Sequence, residues 1–327
     1  MNKFLVENLF SQSDLKMLPT RDGYGKGLVD AGEKDQKVLV LCADLAESTR
    51  SHWFSEKFPN RFIELGVAEQ NMATVAAGMA NYGKIPFISS YAAFSPGRNN
   101  EQIRTTISLN NLPVKIAGAH AGISVGPDGA THQALEDIAL MRVQPNMVVL
   151  YPCDSVEARK ATFEAAFNGK PTYIRLAREK TPVFTKETAP FEIGVAQVLR
   201  KGKDVTIIAC GPLVYEALLA SEKLRKNGIE AEVINNHTIK PMDKKTILAS
   251  VKKTGCVVTV EEHQVAGGMG SAVAEILAQN MPAPIEFVGT NDSFGQSGSP
   301  DELLNFFGLT HSSIIKSVNK VLKRNKK

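Results

Sequence analysis

"PVKIAGAHAGISVGPDGATHQ", residues 113–133, runs out of an apolar strand into a loop punctuated by Gly122, Gly126 and Gly129. Apolar alternation stops at His120, and the glycines that follow mark a flexible backbone. A loop at the carboxyl end of a parallel strand is where open α/β sheets bind ligands. Two of the six histidines, His120 and His132, flank Asp128 within it. Two imidazoles with an acid between them offer proton donors and acceptors tunable near neutral pH.

Working outward, the same strand-then-helix alternation recurs. Apolar runs at 37–45, 85–91, 146–152 and 171–177 alternate with helical patterns at 67–80, 99–109 and 155–167. That order predicts a mainly parallel sheet covered by helices. Between Arg178 and Lys203 prolines and charges break every period, as in an interdomain linker. A second α/β series then follows, with strands near 205–211, 229–236 and 256–263. The expected fold class is α/β, with two doubly wound, mainly parallel-sheet domains over residues 1–185 and 186–327. A chain of 327 residues with 43% hydrophobic content is long enough for two such domains, each with its own core.

Composition narrows the function. The net charge is +4, but 38 basic residues are interspersed with 34 acidic ones, so no nucleic-acid face is built. The one dense basic run, residues 320–327, reads as a frayed, solvated helix end. No stretch of about 18 apolar residues occurs, and no membrane segment or targeting leader is expected. Cys42, Cys153, Cys210 and Cys256 are scattered, as buried free thiols of a reducing cytoplasm are, and form no metal set.

Other candidates lie at the edges of predicted elements. "ELGVAEQNMATVAAGMA", residues 64–80, sets Glu69 in the first turn of an otherwise apolar helix. A first-turn acid suits the helix dipole, yet here water is scarce and a raised pKa and proton sharing with a ligand nitrogen become available. "PFISSYAAFSPGRNNEQ" puts Tyr91 and Phe94 three residues apart where a strand ends, as core packing or a ring platform. Arg21, Ser48 and Arg178 each sit at an element edge and carry no meaning singly. "GYGKG" at 23–27 lacks a preceding strand, and "GGMGSAV" at 267–273 ends in Val where a dinucleotide fingerprint needs Gly or Ala.

Taken in order, "GVAEQNM", "SYAAF", "GPDGATHQALEDIALMR" and "PNMVVLYPCD" resemble the pyrimidine-binding domain of transketolases. "VINNHTIKPMD" and "VEEHQVAGGMGSA" resemble that family's carboxyl-terminal domain, so the likeness covers nearly the whole chain. A full-length member has an earlier domain with a Gly-Asp-Gly motif and a later Asn-Asn pair for the diphosphate and metal. Here no GDG precedes any NN. The resemblance therefore implies one product of a split enzyme, needing an amino-terminal partner subunit that holds the diphosphate and Mg2+ or Ca2+ of thiamine diphosphate. Two copies of each chain are expected, with sugar phosphates as substrates.

The resemblance also implies roles. Glu69 hydrogen-bonds a ring nitrogen of the cofactor's aminopyrimidine, Tyr91 and Phe94 line its pocket, and Asp44 and Leu45 lie beside it. Asp128 with His132 faces the sugar hydroxyls; Arg21, Ser48, His120 and Arg178 hold the sugar phosphate. Where transketolases carry a third aromatic, this chain has Gly97 and Arg98. Three rivals remain: a deoxyxylulose-phosphate synthase-like enzyme, a 2-oxoacid dehydrogenase beta-like subunit, and a non-catalytic nucleotide-binding scaffold. The phosphate-binding set speaks against the oxoacid reading, and retention of both histidines speaks against the synthase.

Overall fold

The computed structural model describes residues 2–325; the last two residues of the basic run lie outside them. Seven strands form the first sheet, in the spatial order Thr238–Lys240, Val148–Leu150, Thr172–Arg175, Lys115–Ala119, Ile85–Tyr91, Val38–Cys42, Phe62–Glu64. All pairings within it are parallel except that of Thr238–Lys240 with Val148–Leu150. The run "VLVLC" is buried at every position, as a strand covered by helices on both faces must be. A second sheet orders Ile285–Thr290, Val257–Gln264, Val205–Ala209, Ala231–Asn235 and Gln197–Arg200, the last antiparallel. Both halves of the chain are thus α/β units with mainly parallel sheets.

Helix boundaries follow side-chain chemistry. Asp154 accepts the Glu157 amide at 2.9 Å and starts Ser155–Phe167; Asp243 accepts the Thr246 amide at 3.0 Å and starts Lys244–Thr254. Each carboxylate satisfies an amide that the first turn leaves without a partner. Gly255, at φ 76°, then closes Lys244–Thr254 in the left-handed conformation.

Three findings depart from the sequence reading. The halves do not have wholly separate cores: one apolar cluster joins Leu41, Met72 and Ile88 to Ile208, Ile234 and Ile247. The strand Thr238–Lys240 also crosses from the second half to the edge of the first sheet. The segment read as a linker is strapped down, because Lys160 Nζ donates to the carbonyls of Lys186 and Ala189 and Thr181–Pro182 pairs with Met17–Leu18. Finally, the basic tail is docked through residue 325. Helix His311–Asn325 buries Ile314, Val318 and Val321, and Lys320 and Arg324 both pair with Glu286.

The first helix, Thr20–Lys34, lies directly against Ser155–Phe167. A Cβ added to Gly23 would stand 2.0 Å from the Ser155 carbonyl oxygen. Gly78, inside the helix Glu69–Asn81, has nothing within 4 Å of the same position. Gly23→Ala therefore loses about 1–3 kcal/mol by overpacking, whereas Gly78→Ala gains up to about 1 kcal/mol by restricting the unfolded chain. Denaturant titration of the isolated chain reads both signs.

Candidate active site

Parallel pairing decides where the candidate residues meet. Val38–Cys42, Ile85–Tyr91, Lys115–Ala119 and Thr172–Arg175 run side by side in one direction. The residues that leave their carboxyl ends, Asp44, Tyr91, His120 and Arg178, therefore emerge along one edge. Asp44 and His120 do so with positive φ, 58° and 54°, a conformation that costs an ordinary side chain about 1–2 kcal/mol. Neighbouring backbone holds the turn at His120: the Ala121 amide donates to the Leu176 carbonyl at 3.1 Å.

His120 stacks on Tyr91 with ring centroids 3.9 Å apart. Tyr91 stacks on Phe94 at 6.0 Å, and His132 meets Phe94 edge-on at 5.4 Å. Two aromatics that the sequence left open as packing or platform thus form one rim with both histidines. His132 Nδ1 is also 2.9 Å from Thr131 Oγ1.

Cations gather behind that rim. Arg21 Nη1 donates to the Ser48 carbonyl at 2.8 Å and lies 3.3 Å from His120 Nε2. A guanidinium only donates, so Nε2 accepts and the ring proton belongs on Nδ1. Nδ1 is buried and, among the described residues, has no hydrogen-bond partner; the same holds for Arg21 Nε. Burial, and then the charges of Arg21, Arg178 and Arg50, push the His120 imidazole down to about 2. His120 is consequently a neutral ring whose Nε2 faces Arg21 and whose buried Nδ1 is a donor without a partner among the described residues. Such a set suits an anionic group with oxygen acceptors.

Arg178 donates to the Val125 carbonyl at 2.6 Å and reaches Asp128 Oδ1 at 3.7 Å, which ties it to the glycine-rich loop. Arg21, Arg50, Arg178 and Lys180 line one cavity of about 610 Å³, with Asp22 and Asp301 on its wall. Arg50, Asp22 and Glu64 went unremarked in the sequence. Arg50 adopts φ 68° after a single helical turn and pairs with Asp22 at 2.7 Å. Glu64 Oε1 accepts the amides of Asp44, Leu65 and Gly66 at 2.7–3.0 Å. An arginine following a short turn and an acid ending a strand carry no local signal. Asp44 itself is exposed, and Leu45 serves mainly as a carbonyl acceptor for Thr49 Oγ1 at 2.9 Å.

Glu69 opens its helix as the sequence predicts and is only 1% exposed. Its carboxylate is not alone there. Arg98 Nη1 donates to Oε2 at 2.6 Å, and Ser90 Oγ lies 3.4 Å from Oε1. Arg98 rests over the Phe94 ring at 4.7 Å and remains half exposed. Arg98, read together with Gly97 as a departure from the resembled family, thus pairs with the central acid. Asn99 Nδ2 donates to the Glu69 carbonyl at 3.1 Å and fixes the helix start.

Comparison with known proteins agrees along most of the chain. The model of the transketolase pyrimidine-binding domain matches residues 16–183, and that of the transketolase C-terminal domain matches residues 194–314. A Methanocaldococcus jannaschii protein named for a transketolase C-terminal section is 46% identical over 93% of this chain and 96% of its own length. The 6-deoxy-6-sulfo-D-fructose transketolase subunit of a Clostridium species is 43% identical over 93% of this chain and 94% of its own. A solved split-gene transketolase, described as an inactive beta4 tetramer, superposes with a TM-score of 0.88 at 46% identity, covering 94% of this chain and 99% of that one.

The electrostatics predict that the His120 ring shows no titration between pH 5 and 8 by NMR. Arg21→Met or Arg178→Met removes a lowering charge and raises its midpoint. A midpoint near the ordinary 6.5 in the unmodified chain would overturn the assignment.

Proposed function

The chain belongs to the transketolase family, and from that premise we propose that it is the carboxyl-terminal subunit of a two-chain transketolase. It would move a two-carbon ketol unit from a ketose phosphate to an aldose phosphate with thiamine diphosphate. One observation carries the reading: a buried carboxylate, Glu69, beside the Tyr91–Phe94 rim, with Arg21, His120 and Arg178 on the same sheet edge.

These residues fit the pyrimidine end of the cofactor. Glu69 offers an oxygen to a ring nitrogen, and its dry surroundings strengthen a hydrogen bond made there. Tyr91 and Phe94 offer ring faces, and Asp44 and Leu45 lie on the same edge. Thiamine diphosphate, when bound, supplies the carbon nucleophile that carries the two-carbon fragment between sugars. The protein's part is to orient and to move protons. Arg98 would yield or share Glu69 Oε2 as the ring nitrogen engages it.

Arg21, Ser48, His120 and Arg178 would take the sugar's anionic terminus. Asp128 and His132, on the loop facing the rim, would take hydroxyl groups. A sulfonate presents the same oxygen acceptors as a phosphate, and the Clostridium relative is named for a sulfosugar. Both anions therefore belong in the substrate panel. The edge is rich in guanidinium groups, and among the described residues no cluster of His, Cys, Asp or Glu could hold a metal ion. The diphosphate and its Mg2+ or Ca2+ would thus be held by an amino-terminal partner subunit, in an assembly of two copies of each chain. Four buried free thiols suit a reducing cytoplasm, and among the described residues no helix is long and apolar enough to cross a membrane.

The test is co-expression with an amino-terminal partner and an assay of ketol transfer from xylulose 5-phosphate to ribose 5-phosphate, with and without cofactor. Transfer is expected only with both chains and cofactor present. Glu69→Gln is expected to cost about 10²–10⁴-fold in kcat with an unchanged fold. Near-normal turnover in that variant, or activity with pyruvate but no sugar, would overturn the reading.

A further inference from the structure

Glu262 lies in the strand Val257–Gln264 of the second sheet and is 1% exposed. Successive side chains on a strand point to opposite faces. Glu261 turns into its own domain and accepts the amides of Met269 and Gly270 at 2.6 and 2.8 Å. Glu262 turns the other way and accepts the Ser124 amide at 2.6 Å, in the middle of the glycine-rich loop. The next two residues continue the grip. His263 Nε2 accepts the Ile138 amide at 3.2 Å, and the Gln264 amide donates to the Leu135 carbonyl at 2.9 Å.

The loop is shaped to receive that carboxylate. Gly122 stands at φ 94°, and a Cβ there would fall 2.4 Å from Glu262 Oε1. A second clasp from the same domain sits farther along, where Ser297 Oγ donates to the Pro127 carbonyl at 2.7 Å. The next residue after Ser124 transmits the position onward, because the Val125 carbonyl is the seat of Arg178.

We propose that Glu262 is a positioning residue through which the second domain sets the geometry of the loop carrying Asp128 and His132 and seats Arg178. The chain of contacts is Glu262 carboxylate, Ser124 amide, Val125 carbonyl, Arg178 guanidinium. Losing the first link leaves a buried amide without an acceptor and frees the Val125 carbonyl, the seat of Arg178, to move. The effect on turnover rests on the function proposed above; the effect on the loop does not.

Two measurements on Glu262→Ala and Glu262→Gln test this. The first is hydrogen exchange along the full chain alone. Glu262→Ala is expected to raise exchange of the amides in 122–128 about tenfold while other core strands keep their protection. Glu262→Gln, whose amide oxygen still accepts, keeps most of it. The second is steady-state kinetics of the reconstituted two-chain enzyme, where Glu262→Ala raises KM for the ketose phosphate about tenfold with cofactor affinity within about twofold. Unchanged exchange at 122–128, exchange raised evenly through the chain, or raised exchange with an unchanged KM would each overturn the proposal. If the unmodified enzyme transfers no ketol unit, the function reading fails, and the exchange result alone decides the role of Glu262.

Discussion

A buried ion pair underlies the site. Arg175, wholly buried at the end of a central strand, donates to both oxygens of Asp137 at 2.7 and 3.2 Å and to the Ala134 carbonyl at 3.0 Å. Tyr173 OH adds a third donor to Asp137 at 2.6 Å, and the guanidinium rests over the Tyr151 ring at 4.5 Å. Burial alone would push the Asp137 carboxyl up, but Arg175, His263 and the two side-chain hydrogen bonds outweigh it and hold it below its ordinary range. Taking two charges out of water is costly, and the hydrogen bonds at Arg175 Nε and Nη2 offset that cost although Nη1, among the described residues, has no partner. The return is positional: the pair fastens the exit of the glycine-rich loop to the sheet.

With its exit fixed, the loop can present its polar side chains against Tyr91 and Phe94 while the second domain holds its middle. The two kinds of chemistry on the edge stay separate. Glu69 is a buried carboxylate with one exposed-side cation, Arg98. His120 is a neutral ring crowded by cations. The acid can accept hydrogen bonds, and the cation group can only donate them. Tyr91 stacks on His120 and on Phe94, and Phe94 carries Arg98, the partner of Glu69.

Much of this was legible in the sequence because it depends on short-range pattern. The strand ending at His120, the helix opening at Glu69 and the glycines at 122, 126 and 129 follow from apolar periodicity and backbone permissiveness. What escaped was carried by contacts distant in sequence. Glu262 and Ser124 are 138 residues apart, Arg98 and Glu69 are 29 apart, and Arg50 meets Asp22 only because two helices approach. The shared apolar cluster was hidden for the same reason, since each half alone has enough apolar residues for a private core.

By itself the sequence determined the α/β succession, the carboxyl-end loops and the residue types that could bind a heterocycle and an anion. Periodicity and propensity act within a few residues, so they suffice for that. Tertiary structure alone decided which cation meets which acid, that His120 is neutral, and that the second domain reaches into the loop of the first. Charge pairing and desolvation depend on distance through space, and the order of residues along the chain does not specify it.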